Sequence, residues 1–337
     1  MGAESNPPAY VCLSTRCGRY NGRLYSMYGA KPVWLLIALM AVATAFALSA
    51  ARLTVAWTSN LTLPALLCVL FGLGQYFRYG RQRPDLHAIC DIALQIVLVL
   101  LLGALLTYAA TAANFPYRDA DLHRLDQIMG LDRTVYLDLF RAHPWLNDIV
   151  AVAYLTLLPQ FAIVPVMLLA AGKTTRAHSL LFAIGIALLL TSMVATFVPA
   201  VSAFYYLDVA PSGLAALSLD FQALLRTIEA LRSGALQAIR LDDLQGLITF
   251  PSFHTAGGLL LAWAAFAVPY VRWVGLGLNA ALIAATPVVG AHYFVDLMGG
   301  AAVAAVAILA ATKFYPRART AAPSPGASDE AMSPSAH

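Results

Sequence analysis

His292 and Asp296 stand four residues apart at the threshold of a long apolar segment, in the stretch Gly290-Ala-His-Tyr-Phe-Val-Asp296. On a helix, positions i and i+4 share a face, so the carboxylate can hold the imidazole in one tautomer and one orientation. An ionisable pair inside a membrane is expensive and needs a reason to be there. A second group, Phe250-Pro-Ser-Phe-His-Thr255, precedes another apolar segment, and its His254 is placed to face the first pair. Two imidazoles and a carboxylate at one membrane depth suit phosphoryl transfer. Neutral imidazole (His292) can attack phosphorus, Asp296 can orient it, and His254 can protonate the departing alkoxide and later activate water or an alcohol. Ser252 can donate to a phosphate oxygen, and Pro251 in a first helical turn leaves backbone amides free for an anion. A metal site or a proton relay would use the same residue types, and an isolated interfacial histidine more often caps a helix.

These residues need a membrane-embedded frame to position them, and the composition supplies one. Of 337 residues, 60% are hydrophobic and 11% charged, with a mean hydropathy of +0.72. A soluble domain carries about 25% charged residues. The expected fold class is all-α: a polytopic membrane helix bundle of about eight transmembrane helices. Apolar runs long enough to span fall near 33–50, 61–77, 89–112, 147–171, 179–200, 254–271, 275–291 and 293–312. The organisation read from this is a cytoplasmic segment 1–32, two N-terminal helices within 33–88, a catalytic membrane domain 89–312, and a disordered tail 313–337 rich in Pro, Ser and Ala. No cleaved signal peptide is expected. The four cysteines (Cys12, Cys17, Cys68, Cys90) lack metal-ligand spacing. Neither a metal nor a cofactor is expected, and the absence of a basic stripe interleaved with aromatics argues against nucleic acid. Membrane lipids are the expected surroundings, and no protein partner is suggested.

Counting basic residues orients the bundle. With both termini cytoplasmic, the clusters at 16–31, 78–83, 173–176 and 313–319 all lie inside together with Arg272, and Arg52 is the only basic residue in a short outer loop. The expected location is a cell inner membrane, with His254 and His292 at the outer face. Two long outer connections remain, about 113–146 and 201–250. Within the second, residues 218–232 begin with a Ser218 cap and carry Phe221, Leu224, Leu225, Ile228 and Leu231 on one face, as an amphipathic helix would. Packing on the bundle is the simpler reading and a substrate lid the sharper one. Residues 119–141 hold a similar mix, with Leu122, Leu125, Ile128 and Met129 on one side. Gly257-Gly258 and Gly299-Gly300 read as close helix packing, and Asp91 with Gln95 as an interhelical polar contact.

Pro251-Ser-Phe-His254 and His292-x-x-x-Asp296 resemble the second and third motifs, P-S-x-H and S-R-x5-H-x3-D, of the type 2 phosphatidic acid phosphatase superfamily. The resemblance covers about 89–312 and implies a six-helix phosphatase-like core, with His292 as nucleophile, Asp296 as its orienting partner and His254 as general acid/base. It implies a lipid phosphate or phospholipid as substrate. Two features depart from the pattern. The first motif, K-x6-R-P, is missing, since Arg83-Pro84 has Tyr76 in the lysine position; Ala285-Thr286 stand where the third motif has S-R. The form without that arginine looks like the branch of fungal inositol phosphorylceramide synthase, the aureobasidin-resistance proteins, which implies inositolphosphotransferase chemistry. Cations for the phosphate would then come from the outer connections, with Arg240 the first candidate and Arg232 and Arg226 after it. A plain lipid-phosphate or isoprenoid-phosphate phosphatase is the nearest alternative. A proton-coupled transporter using His292 and Asp296 is the alternative from another class, although its site would belong near the midplane.

Overall fold

The computed structural model describes residues 15–208 and 221–316, with side chains described from Gly29 onward. Cys12, the side chain of Cys17, the Ser218 cap and nearly all of the 313–337 tail lie outside that description. Each apolar run forms helix, because a chain in hydrocarbon must satisfy its backbone within the segment. Helix α1 (Thr15–Ala50) is followed by α2 (Thr62–Gln75), which ends in a π turn (Tyr76–Gly80), and by α3 (Pro84–Ala112). Pro84 begins α3, where its fixed φ helps and its missing N–H costs nothing. Three helices cover one end of the bundle: α4 (Asp119–Ile128), α5 (Arg133–Ala142) and the single turn α9 (Ala203–Tyr206). The spanning set continues with α6 (Pro144–Leu155), α7 (Leu157–Ala170) and α8 (Thr174–Phe197). After α10 (Phe221–Arg232) come α11 (Phe253–Ala265), α12 (Arg272–Ala285) and α13 (Phe294–Phe314). Strands β1 (Thr54–Ala56) and β2 (Ala238–Arg240) form one short parallel pair, Val55 opposite Ile239.

Four of these helices are long and apolar enough to cross a membrane, and five spans result if α6 and α7 are taken as one. The predicted span 147–171 is bent by 55° between them. Pro159 lacks the N–H that Leu155 O would accept, and the Thr156 hydroxyl binds the Ala153 carbonyl at 2.6 Å, so the ladder opens there. Helices α11 and α12 are shorter than the predicted spans 254–271 and 275–291. With 13 and 14 residues they reach only about 20 Å of a core about 30 Å thick. Helix α8 lies in the centre, with Leu180, Leu181 and Ile184 fully buried among α1, α3, α7, α11 and α13.

Lipid tails are as apolar as leucine, so packing and polar contacts hold the bundle together. Asn279 of α12 donates to Gln160 of α7 at 2.8 Å. Asp91 accepts from Trp34 of α1 at 3.2 Å and from Gln95 at 2.8 Å, so α1 and α3 share the polar contact expected there. Close approach is most demanding at Gly300, where a Cβ would lie 2.3 Å from the Ser252 carbonyl oxygen. That glycine brings the starts of α11 and α13 together.

Gly300→Ala must push α13 from the start of α11, at a cost of about 1–3 kcal/mol, whereas a Cβ at Gly277 meets nothing within 4 Å. Thermal unfolding of the two purified variants in detergent should show a clear loss for Gly300→Ala and none for Gly277→Ala. Equal stability would disprove the packing constraint.

Candidate active site

The pair His292–Asp296 is assembled at the first turn of α13. Asp296 Oδ2 accepts from the Tyr293 amide at 2.9 Å and from His292 Nδ1 at 3.0 Å. A carboxylate only accepts, so Nδ1 carries the proton and the lone pair is left on Nε2. Nε2 lies 3.4 Å from Ser252 Oγ. Both His292 and Asp296 are buried, and Asp296 Oδ1 has no partner among the described residues.

The segment that presents His292 is over-determined. Arg133 of α5 donates to the carbonyls of His292 and Pro287. The Ala203 amide donates to Ala291 O at 2.9 Å. Ala291 itself is held at φ +56°, in the left-handed region that a residue with a Cβ adopts at a cost of about 1–2 kcal/mol. At Gly290 a Cβ would lie 2.7 Å from the Tyr154 hydroxyl and 2.8 Å from His292 Cδ2, so no side chain fits. Arg133 is buried over the Phe204 ring. Burial lowers its pKa from 12.5 to about 10, opposed by Tyr293, Asp296 and Asp126 nearby. It therefore remains a cation at neutral pH.

Two carboxylates of α4 complete this support. Asp126 accepts from the amides of Phe294 and Val295 at 2.9 and 2.8 Å and so caps α13 from another helix. Asp119 accepts from the Tyr293 hydroxyl at 3.0 Å and from the amides of Val201 and Ser202. Burial raises both carboxyl pKa values, and these hydrogen bonds oppose the rise. The apolar stripe expected to face the bundle here is reversed. Leu122 is buried, but Leu125, Ile128 and Met129 are exposed while Asp119 and Asp126 point inward. The unpaired amides at 201–202 and 294–295 outcompete leucine for the inner face, because an unsatisfied buried donor costs more than an apolar residue left against lipid.

His254 opens α11 opposite. Ser252 caps that helix, its Oγ accepting from Thr255 N at 3.3 Å, and its own amide donates to Asp296 O at 3.0 Å. The His254 ring stacks on Tyr154 of α6 with centroids 4.1 Å apart, and the Tyr154 hydroxyl lies 3.3 Å from Nδ1. The His254 and His292 ring centroids are 6.4 Å apart. They border a cavity of about 330 Å³, walled on the far side by Phe221, Leu224 and Ile228 of α10. Helix α10 uses its apolar face twice, Ile228 and Leu231 packing towards α3 and Phe221 and Leu224 lining the cavity. Among the described residues that line it, none is Lys, Arg, Asp or Glu.

The structure thus brings His254, His292, Asp296 and Ser252 together. It does not bring Arg240: that residue is exposed on β2 and its guanidinium pairs with Asp242 and Asp243. Closeness to His254 in sequence fails as a guide, because pairing with β1 holds β2 at the rim. Arg232 is engaged elsewhere, donating to Phe115 O at 2.9 Å and lying over the Tyr117 ring. Arg133, Tyr154, Asp119 and Asp126 went unrecognised in the sequence. The signal that could have flagged the acids is their seven-residue spacing, which places both on one face of α4.

Comparison with known proteins agrees with this arrangement. A family model described as PAP2 superfamily matches residues 120–310, more than half of the chain, beginning after α3. No curated protein and no solved structure matches. PAP2 proteins are membrane phosphatases of all-helical fold, and this chain, with its apolar spanning helices and its match from α4 through α13, is an integral membrane phosphoesterase belonging to the PAP2 superfamily.

Proposed function

We propose that the chain moves the phosphate-bearing head group of a phospholipid through a covalent intermediate on His292. The observation that carries this reading is the geometry Asp296–His292–cavity–His254. Nδ1–H donated to Asp296 leaves Nε2 nucleophilic. Nε2 forms the N–P bond as the P–O bond to the leaving group breaks, and His254 gives its proton to the departing oxygen. His254 enters this step as the imidazolium, its Nδ1–H donated to the Tyr154 oxygen, so the proton it gives up is on Nε2 and neutral imidazole is left. Water or an alcohol then attacks phosphorus, loses its proton to His254, and the N–P bond breaks. Ser252 fixes the starts of α11 and α13 and faces Nε2. Asp296 and Arg133 are positioning residues in this scheme. The orientation proposed has both termini cytoplasmic and the site at the outer face. It rests on the distribution of Lys and Arg together with the adjacency of α1 at Gly29 to the end of α13, Tyr315 donating to Gly29 O at 2.7 Å.

Among the described residues the cavity wall carries no charged side chain, which favours a phosphodiester over a phosphomonoester, because a single negative charge needs less compensation than a double one. This supports head-group transfer of the inositolphosphotransferase type over simple dephosphorylation. A wall made of Phe221, Leu224 and Ile228 supports it too, since water is the competing acceptor.

The deciding assay gives the purified protein in detergent a labelled phosphatidylinositol or a lipid phosphomonoester, each with and without ceramide or diacylglycerol. Expected is a new inositol-phosphate-bearing lipid that requires the acceptor, with His292→Gln at least about 10³-fold slower. Phosphate release from the monoester without acceptor, at a rate above transfer, would replace transfer by a phosphatase. An active His292→Gln protein would remove the histidine mechanism altogether.

Tyr154→Phe keeps the ring stack and deletes only the hydroxyl beside His254. Turnover should fall roughly 10-fold to 100-fold while the lipid KM stays within about twofold. A rise in KM with unchanged kcat would mean that Tyr154 binds substrate and does not orient His254.

A further inference from the structure

The bundle holds a second, larger cavity at the end opposite the histidines, and nothing in the proposed reaction uses it. It has a volume of about 640 Å³ and lies among α1, α2, α3 and α8. Three of these helices precede the segment 120–310 that matches the family, so it is an addition to the catalytic unit. Its mouth carries Lys31 and Arg78. His87 stands beside them, its Nδ1 donating to Gly74 O at 3.0 Å, so its Nε2 is free of that bond. Deeper in, His178 is buried and its Nδ1 has no hydrogen-bond partner among the described residues. Asp91, the one acid among the described lining residues, has its two oxygens bonded to Trp34 and Gln95. The apolar part of the wall continues onto the outer surface through Leu35 and Phe71, which are 72% and 57% exposed and so face hydrocarbon.

We propose that this cavity binds an anionic phospholipid, drawn from the leaflet opposite the histidine site. Its phosphodiester lies between Lys31 and Arg78, and its chains lie along Leu35 and Phe71. Charge complementarity selects the head group: Lys31 and Arg78 both line the cavity, and the Asp91 carboxylate is already engaged by Trp34 and Gln95. The apolar flank selects a lipid over a small anion, since a free phosphate has no use for it. A lipid held there bridges α1 and α2, each of which is bonded to α3 at that end.

The test uses the full chain carrying His292→Gln, in detergent, with phosphatidylglycerol bearing brominated chains as probe and brominated phosphatidylcholine as its zwitterionic counterpart. Bromine quenches indole at short range, and the quenching that disappears in Trp34→Phe reports this cavity. Phosphatidylglycerol should quench Trp34 and phosphatidylcholine should not. Replacing both cations (Lys31→Gln with Arg78→Gln) should weaken binding about 25-fold. Arg78→Lys should restore most of it. Arg81→Gln, a cation of the same end outside the cavity lining, should leave it unchanged. Equal quenching by phosphatidylcholine, displacement by millimolar inorganic phosphate, or an equal loss in Arg81→Gln would overturn the proposal. An identical melting temperature for every variant before lipid is added excludes unfolding as the cause of any loss.

Discussion

A helix that starts inside a low-dielectric bundle has backbone N–H groups and no water to give them to. Everything at the catalytic end follows from solving that problem twice, for α11 and for α13. Ser252 caps its own helix, and its amide goes to Asp296 O. Asp296 takes the Tyr293 amide, and Asp126 takes the next two. The carboxylate that orients His292 is therefore also a structural cap, so the site and the helix start cannot be separated. Removing it would strip the histidine of its orientation and the helix of one acceptor in the same stroke.

That dual use explains why so many groups converge on residues 287–293. His292 needs an extended backbone just before a helix, and Ala291 reaches it only through a left-handed turn. Such a turn does not persist unless its surroundings hold it. Arg133 on two carbonyls, Ala203 on a third and Asp119 on the Tyr293 hydroxyl do so. Arg133 is thereby committed to backbone. It neutralises the acids behind the site without reaching into the cavity, and the cavity wall is left uncharged among the described residues.

The sequence made the apolar helices, the two histidines and their carboxylate legible, because hydropathy and i,i+4 spacing are local. It carried the packing glycines too, as small pairs one turn inside two helices. Helix lengths were less legible: the 147–171 run looks continuous until Pro159 and Thr156 are allowed to open its ladder. The orientation of α4 was not legible at all. Its pattern reads as leucine-in, and only the unpaired amides of two distant segments turn Asp119 and Asp126 inward. The same limit applies to the cations. Arg240 is close to His254 along the chain but belongs to a rim strand, whereas Arg133, 159 residues from His292, reaches its carbonyl. Long-range backbone acceptors leave no periodic trace.

The bend between α6 and α7 joins these themes. Tyr154 lies two residues before the break at Thr156, on the part of the span that tilts away from α7. From there its ring covers His254 and its hydroxyl fills the space that Gly290 leaves empty. In a straight helix Tyr154 would continue along the line of α7. Since Leu157 and Phe161 of α7 pack against Gly257 of α11, a straight span would carry Tyr154 along the side of α11 instead of across its start. The break thus lets one span contribute its lower half to the core and its upper half to the site. A proline placed three residues past a threonine does for Tyr154 what the left-handed alanine does for His292: each departs from regular backbone so that a ring can face the cavity.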